Sequence, residues 1–97
     1  MPTYISLLRY TQKGIEHIKQ SPTRLDAAKK TFRDAGGELK AFYLTTGQID
    51  AVAIFEMPSD EAAAKLTLTL GAHGNIRTET MRAFTEPEYR KIIAALP

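Results

Sequence analysis

The chain has 97 residues, 43% hydrophobic and 25% charged, which fits one small globular domain and excludes an intrinsically disordered chain. Its 13 basic residues are interleaved with 11 acidic ones for a formal charge of +2, so there is no electrostatic footprint for nucleic acid or an anionic membrane. With no cysteine, disulfides and thiolate chemistry are excluded, and metal binding would fall to histidine and carboxylates alone.

Thr3–Tyr10 (TYISLLRY) is rich in β-branched and aromatic residues. Ile5 and Leu7 lie on one alternating face, and Tyr4, Leu8 and Tyr10 on the other, which predicts a strand covered on both sides. The N-terminus MPTYISLLRY lacks a basic flank followed by a long apolar core, and no apolar run approaches the roughly 20 residues that cross a bilayer. A cytoplasmic location without a membrane partner is expected. Ile15 and Ile18, and then Leu25, Ala28 and Phe32, recur at helical spacing, with Pro22 between the two sets. Ser21 is placed to cap and Pro22 to take the first helical position. This predicts a short helix near 12–19 and a longer one over 22–35, ended by the glycines of AGG.

Glu38–Thr46 and Ile49–Met57 read as two strands joined by a turn around Gly47, the pattern of an antiparallel hairpin. Next, Ser59 is a candidate N-cap, Asp60 and Glu61 sit in the electropositive first turn, and Leu66 and Leu70 share a face. A second major helix therefore precedes Gly71 and Gly74. Asn75–Phe84 alternates as a fourth, more polar strand. Thr85 and Glu88 have capping-box spacing, with Pro87 in the first turn. Tyr89, Ile92, Ile93 and Leu96 then form a helical stripe.

The order βαββαβ plus a C-terminal helix is the split-βαβ, ferredoxin-like pattern of an α+β domain. It places a four-stranded antiparallel sheet with both crossover helices on one face. Strands apolar on both faces would leave a large exposed patch on a monomer. A homodimer or higher even oligomer pairing sheet to sheet is therefore expected, with the C-terminal helix covering an edge or reaching the partner.

TTGQIDAVAIFEMP (45–58) and LGAHGNIRTETMRAFTEPEYRKII (70–93) resemble the GYD-domain family, and the resemblance extends through residues 4–44 to cover nearly the whole chain. It implies a ferredoxin-like domain forming a dimeric α/β barrel, and no generally established activity. Gly47 and Asp50 fill the glycine and aspartate places of the family's motif. Ile49 stands where the tyrosine is expected, so no role that needs that phenol carries over.

Several side chains are candidates for chemistry. Asp50, at the start of a strand, either accepts backbone N–H bonds and fixes the hairpin, or serves as a pocket acid at the mouth of the barrel. His73, in GAHGN, is flanked by glycine and is the leading candidate for a base, the alternative being a surface or helix-end residue. His17 is expected to face solvent. Tyr4, Ser6 and Tyr10 share one face of the first strand, and Thr78, Thr80 and Arg82 one face of the last, so the two sets are expected to line a polar cavity if they face the same way. Arg82 or Arg77 would hold a carboxylate or enolate there, unless Arg77, Glu79 and Arg82 form surface or interface ion pairs. No metal set is apparent, since His17 and His73 are 56 positions apart without a carboxylate at ligand spacing, and no phosphate loop is present. No cofactor is expected.

Three readings follow. The first is a small-molecule-binding or sensor-like module with a pocket at a dimeric sheet interface. The second is a cofactor-free enzyme of isomerase or oxygenase type acting on a small aromatic or carboxylated compound, with His73 or Asp50 as base and Arg82 as anion holder. The third is a structural assembly subunit. A cavity holding both His73 and an arginine favours the enzyme, one without an acid–base pair the binder, and a filled sheet interface the structural role.

Overall fold

A computed structural model describes residues 1–97. The chain runs β1 (Thr3–Tyr10), α1 (Gln12–Glu16), a 3-10 turn (Ile18–Gln20), α2 (Ser21–Asp34), β2 (Glu38–Leu44), β3 (Ala51–Glu56), α3 (Asp60–Ala72), β4 (Ile76–Ala83) and α4 (Glu86–Ala94). The strands form one sheet in the order β2-β3-β1-β4, and every neighbouring pair is antiparallel. This is the ferredoxin-like α+β arrangement expected from the alternation of periods along the chain.

Local chemistry explains where the elements start and stop. Ser59 caps α3 by accepting from the Ala62 N–H, and Thr85 and Glu88 close a reciprocal capping box on α4. Ser21, in contrast, does not cap α2 but is its first residue, because the preceding 3-10 turn brings Gln20 in with an already helical backbone. The expected helix over 12–19 is likewise broken at His17 (φ −112°), whose carbonyl accepts from the Gln20 N–H at 3.0 Å and from Arg24 at 3.0 Å. The hairpin strands are shorter than expected. The Thr45 N–H donates to the Asp50 carbonyl at 2.9 Å and its hydroxyl to the Ile49 carbonyl, which pulls these residues out of the ladder into a loop with Gly47 at φ +111°. A bulge between Leu39 and Ala41 shifts the β2–β3 register.

Helices α2 and α3 pack on one face of the sheet. Tyr4, Phe32, Phe55, Met57, Ala63 and Leu66 form the main core there, with the Tyr4 and Phe55 rings stacked at 5.3 Å and the Phe32 ring tilted against Phe55 at 4.9 Å. A second cluster of Leu8, Ala51 and Ala53, with Phe42 and Ile76 against it, continues the core toward the opposite end of β1. The reverse face of the sheet presents Ile5, Leu7, Val52, Ile54 and Met81, none of them buried. α4 has no buried residue. No helix is long and apolar enough to cross a membrane.

Candidate functional site

A cavity of about 180 Å³ lies between the helix-bearing face of the sheet and helices α2 and α3. Its origin is legible in side-chain size. Ser6 and Ala53 face it from the middle of the sheet, and Ala27 and Ala28 from α2, so the layers are separated by residues too small to fill the gap. Larger apolar groups, among them Phe32, Phe42 and Leu39, wall it. The volume is well above the roughly 10–15 Å³ that one water requires.

Polar groups gather at one end. The C-terminal end of β1 brings Tyr10, the start of α2 brings Ser21 and Arg24, and the α3–β4 connection brings His73 and Asn75. α1 ties these segments together. The Thr11 N–H donates to the Asn75 carbonyl at 3.1 Å, its hydroxyl donates to the Gly74 carbonyl at 2.5 Å, and Lys13 donates to the His73 carbonyl at 2.9 Å. From the other side the Arg24 guanidinium donates to the carbonyls of His17 at 3.0 Å and Gly14 at 3.5 Å. Gly14 permits this closure, since a Cβ there would stand 2.1 Å from the Asn75 carbonyl oxygen.

The six strand residues expected to line a cavity do share the helix-bearing face: Tyr4 pairs with Arg82 and Ser6 with Thr80, while Thr78 lies opposite Leu8. They divide between two environments. Ser6, Tyr10 and Thr78 line the cavity, whereas Tyr4, Thr80 and Arg82 do not. Thr80 shares a hydroxyl–hydroxyl hydrogen bond with Ser6 at 2.8 Å. Tyr4 is a core residue, 3% exposed, and its hydroxyl donates to the Asp60 carboxylate at 2.5 Å. Burial, reinforced by that carboxylate, pushes the Tyr4 phenol up to about 12. Arg82 donates to the carbonyls of Thr3, at 3.2 Å, and Ala83, and lies over the Phe84 ring at 4.5 Å, with the Glu88 carboxylate 3.9 Å away. It is committed to the end of the sheet far from His73.

Asp50 is half-buried and lies outside the cavity wall. Its carboxylate accepts the Tyr10 N–H at 2.9 Å while its own N–H donates to the Leu8 carbonyl at 2.9 Å, so it fastens the end of the hairpin to β1. His73 is exposed at the C-cap of α3 and is one of the residues that line the cavity, and no hydrogen bond holds its ring. His17 is exposed. Arg77 and Glu79 lie on the reverse face, opposite Arg9 and Leu7, and make no ion pair within the chain. Glu88, at the start of α4, has its carboxyl held below the usual range by the Thr85 backbone N–H and then by the Thr85 hydroxyl.

Arg24, Ser21, Asn75, Thr31 and Thr67 are the polar lining residues that sequence reasoning missed. A signal existed for the first. Arg24 lies four residues before Ala28 and seven before Thr31, at the margin of the Leu25, Ala28 and Phe32 stripe, which puts it beside the face α2 turns to the sheet.

The GYD domain family model matches residues 4–93. A relative from Thermus thermophilus, the glutamine synthetase and cystathionine beta-lyase binding protein, is 31% identical over 84 residues, which span 86% of this chain and 88% of the relative. The crystal structure of TTHA0845, also from Thermus thermophilus, shares the fold with a TM-score of 0.51 at 24% identity, over 88% of this chain and 95% of that one.

Proposed function

The chain belongs to the GYD-domain family, and from that membership we propose that it is a homodimeric binding module whose cavity between sheet and helices takes a small molecule. The observation that carries this reading is the cavity, apolar along most of its wall and polar at one end, a combination that fixes a ligand's orientation while its body leaves water. The dimer rests on the reverse face of the sheet, where Ile5, Leu7, Val52, Ile54 and Met81 form an apolar strip that no part of the chain covers. Pairing two such faces would build the α/β barrel and leave each cavity on the outer side of its own sheet. The pocket is thus assigned to one protomer and not to the dimeric sheet interface expected from the sequence. The relative's name describes binding to two enzymes. By analogy, this module would present its outer surface to a protein partner, with the small ligand as the signal it senses.

A second reading is favoured by one observation: His73 and an arginine, Arg24, line the same cavity, the combination expected of a cofactor-free enzyme. The binder is preferred because no carboxylate lines that cavity and no hydrogen bond orients the His73 ring, whereas a general base is normally held by a second group.

Native mass spectrometry of protein purified from its own host, at low and then high collision energy, tests both halves of the proposal. A dimer carrying a defined extra mass is the expected result. A monomer at micromolar concentration overturns the dimer, and assemblies repeatedly free of extra mass move the function to a structural subunit.

A further inference from the structure

The cavity's lining has an uneven charge. Among the residues that form it, Arg24 carries the one formal charge, and no aspartate or glutamate is present to oppose it. Two of the five guanidinium N–H groups are engaged, by the carbonyls of His17 and Gly14. These bonds anchor the head group of a half-buried side chain and leave the remaining donors without a protein partner. Around it, Tyr10, Ser21, Asn75 and His73 add groups able to donate hydrogen bonds. The rest of the wall is mostly apolar, with Leu39 and Phe42 among its larger groups, and its other polar members are the uncharged hydroxyl residues Ser6, Thr31, Thr67 and Thr78.

We propose that the cavity binds a small amphiphilic carboxylate, with the carboxylate on the free edge of Arg24 and a compact aromatic or aliphatic body over Phe42 and Leu39. This deepens the reading of the cavity as a ligand site and rests on it. A carboxylate matches the guanidinium fork in geometry and in charge. A phosphate dianion would leave a negative charge uncompensated against an otherwise neutral, largely apolar wall. A cationic ligand would meet Arg24 with no carboxylate to receive it, and a neutral one would leave the charged donors of Arg24 unused.

The test is a titration of uniformly labelled full-length protein, followed by backbone and arginine side-chain NMR, with 3-phenylpropanoate and octanoate beside 3-phenylpropanamide and 3-phenylpropylamine. At least one acid is expected to shift the resonances of Arg24, Tyr10, Asn75 and Phe42 saturably, and phenylpropanoate to bind at least roughly tenfold more tightly than its amide, the ratio that a charge-assisted pair commands. Arg24→Gln should abolish that ratio and Arg24→Lys retain part of it. Equal binding of acid and amide overturns the carboxylate assignment while leaving the cavity as a ligand site. A preference that survives in Arg24→Gln overturns the role of Arg24, and no saturable shift from any of the four overturns both the assignment and the ligand-binding reading. Should the variants fail to fold, intermolecular contacts in the unmodified protein decide the matter. Ring protons of phenylpropanoate must lie near Phe42 and Leu39 with the carboxylate-bearing carbon near Arg24, and the reverse orientation refutes the proposal.

Discussion

Replacing Tyr4 by phenylalanine should separate stability from ligand binding. The substitution keeps the ring, its burial and its stack on Phe55 at 5.3 Å, and removes the hydroxyl that donates to Asp60 at 2.5 Å. A hydrogen bond to a charged group contributes about 1.5–3 kcal/mol. The lower end applies, because Asp60 is exposed and regains water when its partner is lost. The expected loss is therefore ~1.5 kcal/mol, or about 6–12 °C in Tm for a domain of this size. Urea unfolding of Tyr4→Phe, Asp60→Asn and the double variant, at one fixed protomer concentration, gives the coupling directly. The pH dependence carries a sign of its own. The folded phenol sits at about 12, above the unfolded value of about 10. The folded state thus favours the protonated form, and the advantage over Tyr4→Phe is complete below about pH 10 and declines as pH rises through about 12. Tyr4 does not line the cavity, so ligand retention should be unchanged. A variant within about 0.5 kcal/mol of the parent at neutral pH, the range of substitutions that disturb nothing, would refute the hydrogen bond's role.

Other substitutions probe other parts of the molecule. Gly14→Ala forces a Cβ to 2.1 Å from the Asn75 carbonyl oxygen, so a loss of about 1–3 kcal/mol is expected, with NMR shifts concentrated at residues 73–76; a silent substitution would contradict the packing of α1 on that loop. Ile54→Glu places a charge at the centre of the reverse sheet face, between Ile5 and Ala41, and should convert a dimer to monomer in sedimentation velocity; a dimer that persists would place the interface elsewhere. Glu88 should titrate below the other glutamates in carboxyl NMR, so its capping contribution is present above the unfolded carboxylate range and lost as pH falls through its lowered value. Thr85→Ala removes the hydroxyl but keeps the backbone N–H, so Glu88 should move only part of the way back toward the ordinary range, and an unmoved titration would exclude the hydroxyl as a contributor.

The parts of the fold set by periodicity were legible in the sequence. The alternation of β1, the stripe of α2 and the Thr85–Glu88 spacing each act over a few residues, and all appear where expected. Ser21 misled because its capping signal is local, while the entry to α2 is governed by a 3-10 turn with no strong sequence mark. The site was half legible. Alternation placed Ser6, Tyr10 and Thr78 on one face, but whether a polar strand residue lines space or is consumed by a partner depends on contacts far apart in sequence. Tyr4 is taken by Asp60 across 56 positions and Ser6 meets Thr80 across 74. The side of the sheet that holds the cavity was hidden because both faces of β1 are apolar, and only the small residues at Ser6 and Ala53, read together with Ala27 and Ala28, mark the gap.

The C-terminal helix has a consequence for the kinetics of the chain. Nine residues fall short of the ~12–15 that hold a helix in water unaided. Its capping box and the Glu86–Arg90 pair at 2.9 Å supply only local support, and no residue of it is buried. Amide hydrogens of 86–94 should therefore exchange through fraying of that helix alone, at rates independent of global opening of the sheet. Slow exchange there would mean that another surface lies against Tyr89, Ile92 and Ile93, which makes the end of the chain a built-in reporter of assembly.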